Sequence, residues 1–259
     1  MIPTAMPTAV ERLLGGRLSH EAMTPLTEEA PSLTLEQAYA IQRDLERALV
    51  GRGERVIGWK VGFTSAALQG TYGVTEPVLG FMLGSGVFGS GDPVPVSRFV
   101  GLAVEVEVAV LIKAELAGPG VTAASALLAV EGAMPSFELI DVRYSGKPRG
   151  ADMIADGVAA NAIVLGRPLS PVMGLDLALE GVVLEQNGQV VATNTAAEVM
   201  GNPLNSLVWL ANALGRMGRG LRAGDVVLTG NISKVLRPKT GESVRASFTR
   251  LGSVSCRFV

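Results

Sequence analysis

Leu102-Ala103-Val104-Glu105-Val106-Glu107-Val108-Ala109-Val110-Leu111-Ile112 is the stretch from which the fold of this chain is read. Val104, Val106, Val108, Val110 and Ile112 recur at every second position and are all β-branched, which is the pattern of a strand. Successive strand side chains point to opposite faces, so Glu105 and Glu107 share one face with the small residues Ala103 and Ala109. Two carboxylates on that repeat stand roughly 6–7 Å apart and repel each other. Two readings fit: a half-exposed sheet with a solvated acidic face, or a concave face whose acids are ligands for a hard divalent cation. Periodicity alone does not separate them.

Outward from this strand, Arg55–Phe63 reads as a second one, with Lys60 between Gly58 and Gly62 on its own face. That spacing describes either a lysine snorkelling from a strand edge or a slot in which a ligand approaches the ammonium. Ser136–Asp141 reads as a strand carrying Glu138, an acid that is solvated or ion-paired in most such contexts. Asn187-Gly188 between two apolar runs predicts a hairpin. Asn202-Pro203 predicts the start of a helix over 203–216. Thr34 and Gln37 form a capping box for a helix over 35–50, and residues 7–19 read as a shorter helix. The expected organisation is an N-terminal helical region, 1–53, before a β-rich catalytic domain, 54–259. The glycine-rich stretch 70–92 suits a loop over a pocket, with short strands near Phe81 and Val87, and only 122–131 and 203–216 read as convincing helices after residue 54. The class is α+β.

Composition narrows the function. With 22 Lys+Arg against 24 Asp+Glu and no basic block, nucleic acid and anionic membranes are not expected partners. No apolar run reaches membrane-spanning length, no signal-peptide layout is seen, and the single Cys256 suits a reducing compartment, so a cytoplasmic protein is expected. His20 is the sole histidine, so acid–base chemistry must fall to carboxylates, lysine or water.

Several segments, in order from about residue 34, together carry a resemblance. They include Ile57-Gly58-Trp59-Lys60-Val61-Gly62-Phe63-Thr64-Ser65, Glu105-Val106-Glu107, Pro135-Ser136-Phe137-Glu138-Leu139-Ile140-Asp141, Ile154-Ala155-Asp156 and Ala223-Gly224-Asp225-Val226-Val227-Leu228-Thr229-Gly230. The set resembles the 2-keto-4-pentenoate hydratase and 4-oxalocrotonate decarboxylase group of the fumarylacetoacetate hydrolase superfamily. The resemblance implies a twisted, incomplete barrel and a Mg²⁺ or Mn²⁺ held by Glu105, Glu107 and Glu138. It implies Lys60 as the catalytic group and a lyase acting on 2-oxo-4-enoic acids or their 2-hydroxydienoate tautomers in the catabolism of aromatic compounds. Asp156, Thr229 and Val78 are expected at the substrate, and a homo-oligomer is expected. Related hydratases commonly carry an aspartate where this chain has Val78, and the change leans toward decarboxylation. The alternatives are a carbon–carbon hydrolase or keto–enol tautomerase of the same superfamily, or a catalytically silent partner subunit.

Overall fold

The computed structural model describes residues 6–259. Three helices come first: α1 (Met6–Ser19), α2 (Leu26–Glu29) and α3 (Leu35–Gly51). The box expected at the start of α3 forms in both directions, Gln37 N to Thr34 Oγ1 at 3.2 Å and Thr34 N to Gln37 Oε1 at 3.0 Å. After α3 come β1 (Val56–Gly62), α4 (Ala66–Tyr72), β2 (Val78–Leu83), β3 (Val87–Gly89), β4 (Pro93–Val94), β5 (Leu102–Ile112), α5 (Ala123–Ala129) and β6 (Val130–Asp141). The chain closes with α6 (Gly150–Ala155), β7 (Ala160–Leu165), β8 (Gly181–Gln186), β9 (Gln189–Thr195), α7 (Pro203–Arg216), β10 (Val226–Leu228), β11 (Ser243–Phe248) and β12 (Gly252–Phe258). The class is α+β as expected, and α7 has the bounds read from Asn202-Pro203.

Two helices, α4 and α6, stand where none was expected. Each has only one or two turns, too few residues to show a 3.6-residue period above its glycines and aspartate. The short strands expected near Phe81 and Val87 within 70–92 both form, as β2 and β3. Residues 78–83 form β2, antiparallel to β1 with Lys60 opposite Gly80 and Gly62 opposite Val78. Five of its six residues are buried.

A curled seven-stranded sheet in the order β2-β1-β10-β5-β6-β7-β3 forms a half-barrel, and a five-stranded sheet, β4-β12-β11-β8-β9, packs beside it. β5 is at the centre of the first sheet and pairs along its whole length with β6. Both of its faces are covered: Val104, Val106, Val108 and Val110 are at most 1% exposed, and so are Ala103, Ala109 and Glu107. The half-exposed reading of this strand is therefore excluded.

The helices of residues 6–51 share one apolar core with the strands, through Leu13, Leu26, Ala38, Ile41, Leu45 and Leu49. Each such buried aliphatic side chain contributes about 1.5–3 kcal/mol. Gln42 of α3 also reaches into this core, donating to the carbonyls of Leu79 (3.0 Å) and Ile154 (2.7 Å). A second, smaller cluster of Met82, Ala109, Met134, Ile163, Val226 and Leu228 fills the half-barrel interior next to Glu107, on whose face Ala109 lies. It gives the acidic face a dry floor.

Candidate metal and substrate site

The register between β5 and β6 assembles the acids. Glu105 lies directly opposite Glu138, and Glu107 opposite Ser136. Opposed side chains share a face, so the third carboxylate joins the first two. One oxygen from each of Glu105, Glu107 and Glu138 lies within 4.8 Å of the others. Glu107 and Glu138 are each 1% exposed, whereas Glu105 is partly open. At such separations each ionised pair costs about 3–4 kcal/mol at an effective dielectric near 20. Protonation of an acid or a compensating positive charge relieves that cost.

One compensating charge is Lys60, 3% exposed, whose Nζ stands 2.8 Å from Glu138 Oε2 and donates to the carbonyl of Val158 at 3.2 Å. Burial pushes its pKa down, but Glu138, Glu105 and Glu107 together more than reverse this, so the ammonium is held protonated. The glycines around Lys60 act differently from the slot expected at Gly58 and Gly62. A Cβ on Gly58, whose φ is +155°, would meet the carbonyl oxygen of Val226, so that glycine serves strand packing. Space at Gly62 is filled by Val158 and Val78, and a Cβ on Gly80 would strike the carbonyl of Gly157 and crowd the lysine stem. Lys60 runs through a packed, glycine-narrowed channel.

Three carboxylates and one ammonium sum to −2, which one divalent cation balances. Three buried carboxylate oxygens, Glu107 Oε1 and both of Glu138, have no hydrogen-bond partner among the described residues, Glu138 Oε2 meeting only the Lys60 ammonium as an ion pair. Unsatisfied buried carboxylate oxygens are costly unless something coordinates them. The donor set is all oxygen and anionic, which suits a hard cation such as Mg²⁺ or Mn²⁺. The other Glu107 oxygen, Oε2, accepts from Gly230 N at 2.6 Å. Gly230 adopts φ +123°, where a side chain would be strained and would press on Thr64.

Burial drives the pKa of Glu107 well above the ordinary carboxylate range, with Glu138 and Glu105 adding to it. Burial likewise raises Glu138, to about 7, against the opposing pull of Lys60. A raised carboxylate favours the folded protein while it is protonated. Its contribution to cation-free stability is present below the ordinary value of 4.5 and is lost as pH rises through about 7. Cation binding has the opposite sign, because protons compete for the same oxygens. The rise in melting temperature given by Mg²⁺ is expected to be large near pH 8 and to shrink as pH falls through about 7, in thermal scans across that range.

Lys60 and Glu105 line a cavity of about 700 Å³, together with Phe63, Thr64, Ser65, Leu68, Tyr72, Ile140, Val142, Met153, Val158, Asn194, Glu198, Asn231 and Arg237. The structure does not bring the other three expected residues into that lining. Thr229 is fully buried, and its hydroxyl donates to the Val108 carbonyl at 2.9 Å, pinning β10 to β5 beside the site. Val78 is 2% exposed and stands behind Gly62. Asp156 is 1% exposed and engaged by two arginines, Arg17 Nε at 2.9 Å and Arg143 Nη1 at 2.8 Å. Each oxygen of Asp156, a residue expected at the substrate, thus meets an arginine, and the residue stands outside the cavity lining. Arg17 also donates to the backbone carbonyls of Asp156 (2.6 Å) and Ala160 (3.2 Å), bracketing Gly157, Val158 and Ala159, which all have positive φ. That left-handed run is unfavourable for valine and persists because the surroundings hold it. It presents the Val158 carbonyl to Lys60. Asp156→Ala would leave two buried guanidinium groups without their shared counter-ion and should cost about 3–5 kcal/mol of stability in denaturant unfolding.

Of the cavity residues outside the expected set, Thr64 and Ser65 end a motif that was noticed. Tyr72 lies on a short helix, Asn194 near the end of β9, Glu198 in a single turn and Arg237 in an irregular segment, and none of these marks a pocket in the sequence. Fold and site together define a curled half-barrel holding a buried carboxylate triad with a lysine counter-charge. The chain belongs to the family described as fumarylacetoacetate (FAA) hydrolase C-terminal, which matches residues 60–259. It is 33% identical to a 4-oxalocrotonate decarboxylase of Pseudomonas putida, with 96% of this chain and 95% of that protein covered. It is 32% identical to a 2-keto-4-pentenoate hydratase of Paraburkholderia xenovorans over 100% of this chain and 96% of that protein. Its backbone superposes with a TM-score of 0.95 on the 4-oxalocrotonate decarboxylase of Pseudomonas putida G7 complexed with magnesium and adipate, at 31% identity, covering 98% of this chain and 97% of that one.

Proposed function

We propose that this protein is a divalent-cation-dependent lyase acting on 2-oxo-4-enoic acids or their 2-hydroxydienoate tautomers, as a decarboxylase or hydratase in the breakdown of aromatic compounds. The observation that carries this reading is the convergence of Glu105, Glu107 and Glu138 within 4.8 Å, with the Lys60 ammonium 2.8 Å from Glu138, beside a cavity lined by Lys60 and Glu105. The names of the relatives, a decarboxylase and a hydratase, support it.

Glu105, Glu107 and Glu138 would hold a Mg²⁺ or Mn²⁺ ion, which would supply Lewis-acid stabilisation of negative charge on the substrate's 2-oxygen. The remaining work falls to the chain itself. Lys60, held protonated, faces the reacting end as a fixed positive charge and as the donor of a proton to carbon. The left-handed run 157–159, fastened by Arg17 and Asp156, fixes where that ammonium points. Phe63, Leu68, Ile140, Val142, Met153 and Val158 give the cavity apolar walls. Apolar walls help a carboxylate leave as carbon dioxide, while Thr64, Ser65, Tyr72, Asn194 and Asn231 in the same lining offer partners for a water, so the wall accommodates either reaction and the lean toward decarboxylation rests on Val78 in the sequence. His20 is exposed at the end of α1 and does not line the cavity, so it is not placed to activate water for carbon–carbon hydrolysis.

The protein is proposed to act in the cytoplasm and as a homo-oligomer; its single cysteine is buried and, among the described residues, no helix is long and apolar enough to cross a membrane. The purified protein with Mg²⁺ or Mn²⁺ should consume 4-oxalocrotonate, releasing carbon dioxide, at least as fast as it hydrates 2-hydroxypenta-2,4-dienoate. Efficient hydration with no decarboxylation would make it a hydratase. Failure to consume either compound at any cation concentration would end the reading.

A further inference from the structure

One cation on the cavity wall has no task in the chemistry above. Arg237 lines the cavity, its side chain is exposed, and among the described residues it forms neither a salt bridge nor a side-chain hydrogen bond. Its place is set by the backbone. Val104 and Leu236 exchange two hydrogen bonds, at 2.8 and 3.1 Å, and Ile232 N donates to the Val106 carbonyl at 2.8 Å. The bridge between Val104 and Leu236 is antiparallel. One residue on from that bridge Arg237 comes opposite Ala103, on the face that carries Glu105 and Glu107, and both Arg237 and Glu105 line the cavity. Arg237 and Glu105 are then diagonal neighbours, roughly 7–8 Å apart along the backbone and within reach of long side chains.

Tyr72, stacked on Phe63 with ring centroids 4.3 Å apart, feels both charges. Its hydroxyl is raised by burial and by Glu105, and lowered by Arg237 and Lys60. Glu198 lines the same cavity and makes no ion pair with Arg237 among the described residues, so the guanidinium is left open to a ligand.

We propose that Arg237 is the recognition group for a second carboxylate, so that the cavity selects a 2-oxo diacid over a 2-oxo monoacid of equal length. The inference rests on the 2-oxo acid reading above and names the substrate class within it. One end of the ligand, its 2-oxo carboxylate, lies at the triad and Lys60. The far carboxylate meets the guanidinium, whose planar fork offers paired N–H donors at carboxylate spacing. Exposure keeps the empty arm hydrated, so the gain on binding lies at the low end for a charge-assisted bond.

The test uses 2-oxoadipate and 2-oxohexanoate, which match in length and lack the alkene, so that binding is read without turnover. Calorimetric titration of the Mg²⁺-loaded wild type should give about a tenfold tighter Kd for 2-oxoadipate. Arg237→Ala should remove that preference and leave the 2-oxohexanoate Kd unchanged, while Arg237→Lys keeps part of it. The side chain takes part in no hydrogen bond of the fold, so both variants are expected to fold with the wild-type melting temperature. Equal wild-type affinities, or a diacid preference that survives Arg237→Ala, would overturn the proposal. Binding of neither acid by the Mg²⁺-loaded wild type would instead overturn the 2-oxo acid reading itself, and the role of Arg237 with it.

Discussion

Glu107→Gln should abolish the rise in melting temperature that Mg²⁺ or Mn²⁺ gives the wild-type protein, and turnover with it. A cation that binds only the folded state adds about 2.7 kcal/mol at a hundredfold excess over its Kd. For a chain of this length that corresponds to a rise of roughly 5–10 °C. Glu107 is the most deeply committed of the three carboxylates: 1% exposed, one oxygen accepting from Gly230 N, the other without a partner among the described residues. The amide keeps the shape but removes the charge. Without cation the variant should melt no lower than wild type, because a carboxyl that burial and two neighbouring acids already disfavour as an anion is replaced by a neutral amide of the same shape. A structural role alone predicts the reverse, a fall in cation-free stability with the cation-induced rise intact. Thermal scans with and without Mg²⁺ separate the two, and a persisting rise in Glu107→Gln would remove the triad as the cation site.

Lys60→Met should lower turnover by about 10²–10⁴-fold, the usual contribution of a positioned proton donor, while cation affinity is kept or increased. The second half follows from charge: without the ammonium, the three carboxylates sum to −3 and attract a divalent cation more strongly. Methionine is chosen because the lysine stem is packed against Gly80 and the Val158 region. Truncation to alanine would open a cavity and confuse stability with chemistry. Loss of the ion pair with Glu138 still carries a cost in the cation-free protein, since that carboxylate is 1% exposed and keeps no other cation within 4 Å among the described residues. Added Mg²⁺ should recover much of it. If Lys60→Met turns over at near wild-type rate with Mg²⁺ present, Lys60 is only a counter-charge.

Local rules carried a definite part of this structure. The period of two in 102–112 placed Glu105 and Glu107 on one face, because alternation is a property of any extended backbone. Asn202-Pro203, Thr34 with Gln37, and Asn187-Gly188 marked two helix starts and a hairpin, since caps and tight turns are satisfied within a few residues. The ordered motifs carried the family, and with it the expectation that Glu138 and Lys60 belong with the pair.

Other features depended on partners distant in the chain. The sequence offered two readings of the acidic strand, and only the burial of both faces of β5 excluded the solvated one. That Glu138 faces Glu105 is a matter of β5–β6 register, and a slip of one residue would have sent it to the opposite side of the sheet. Gly58 and Gly62 read as a slot for ligand, yet the carbonyl of Val226 and the side chains of Val158 and Val78 fill the space they leave. Asp156 is expected at the substrate, and its oxygens meet Arg17 and Arg143, 139 and 13 residues away. The sequence by itself determined which residues are extended, which are capped and which two acids lie together, because those follow from bonds along a few neighbouring residues. Only the tertiary structure decided what each charge meets, because ion pairs and strand registers are settled by segments that approach in space and carry no local mark of their partners.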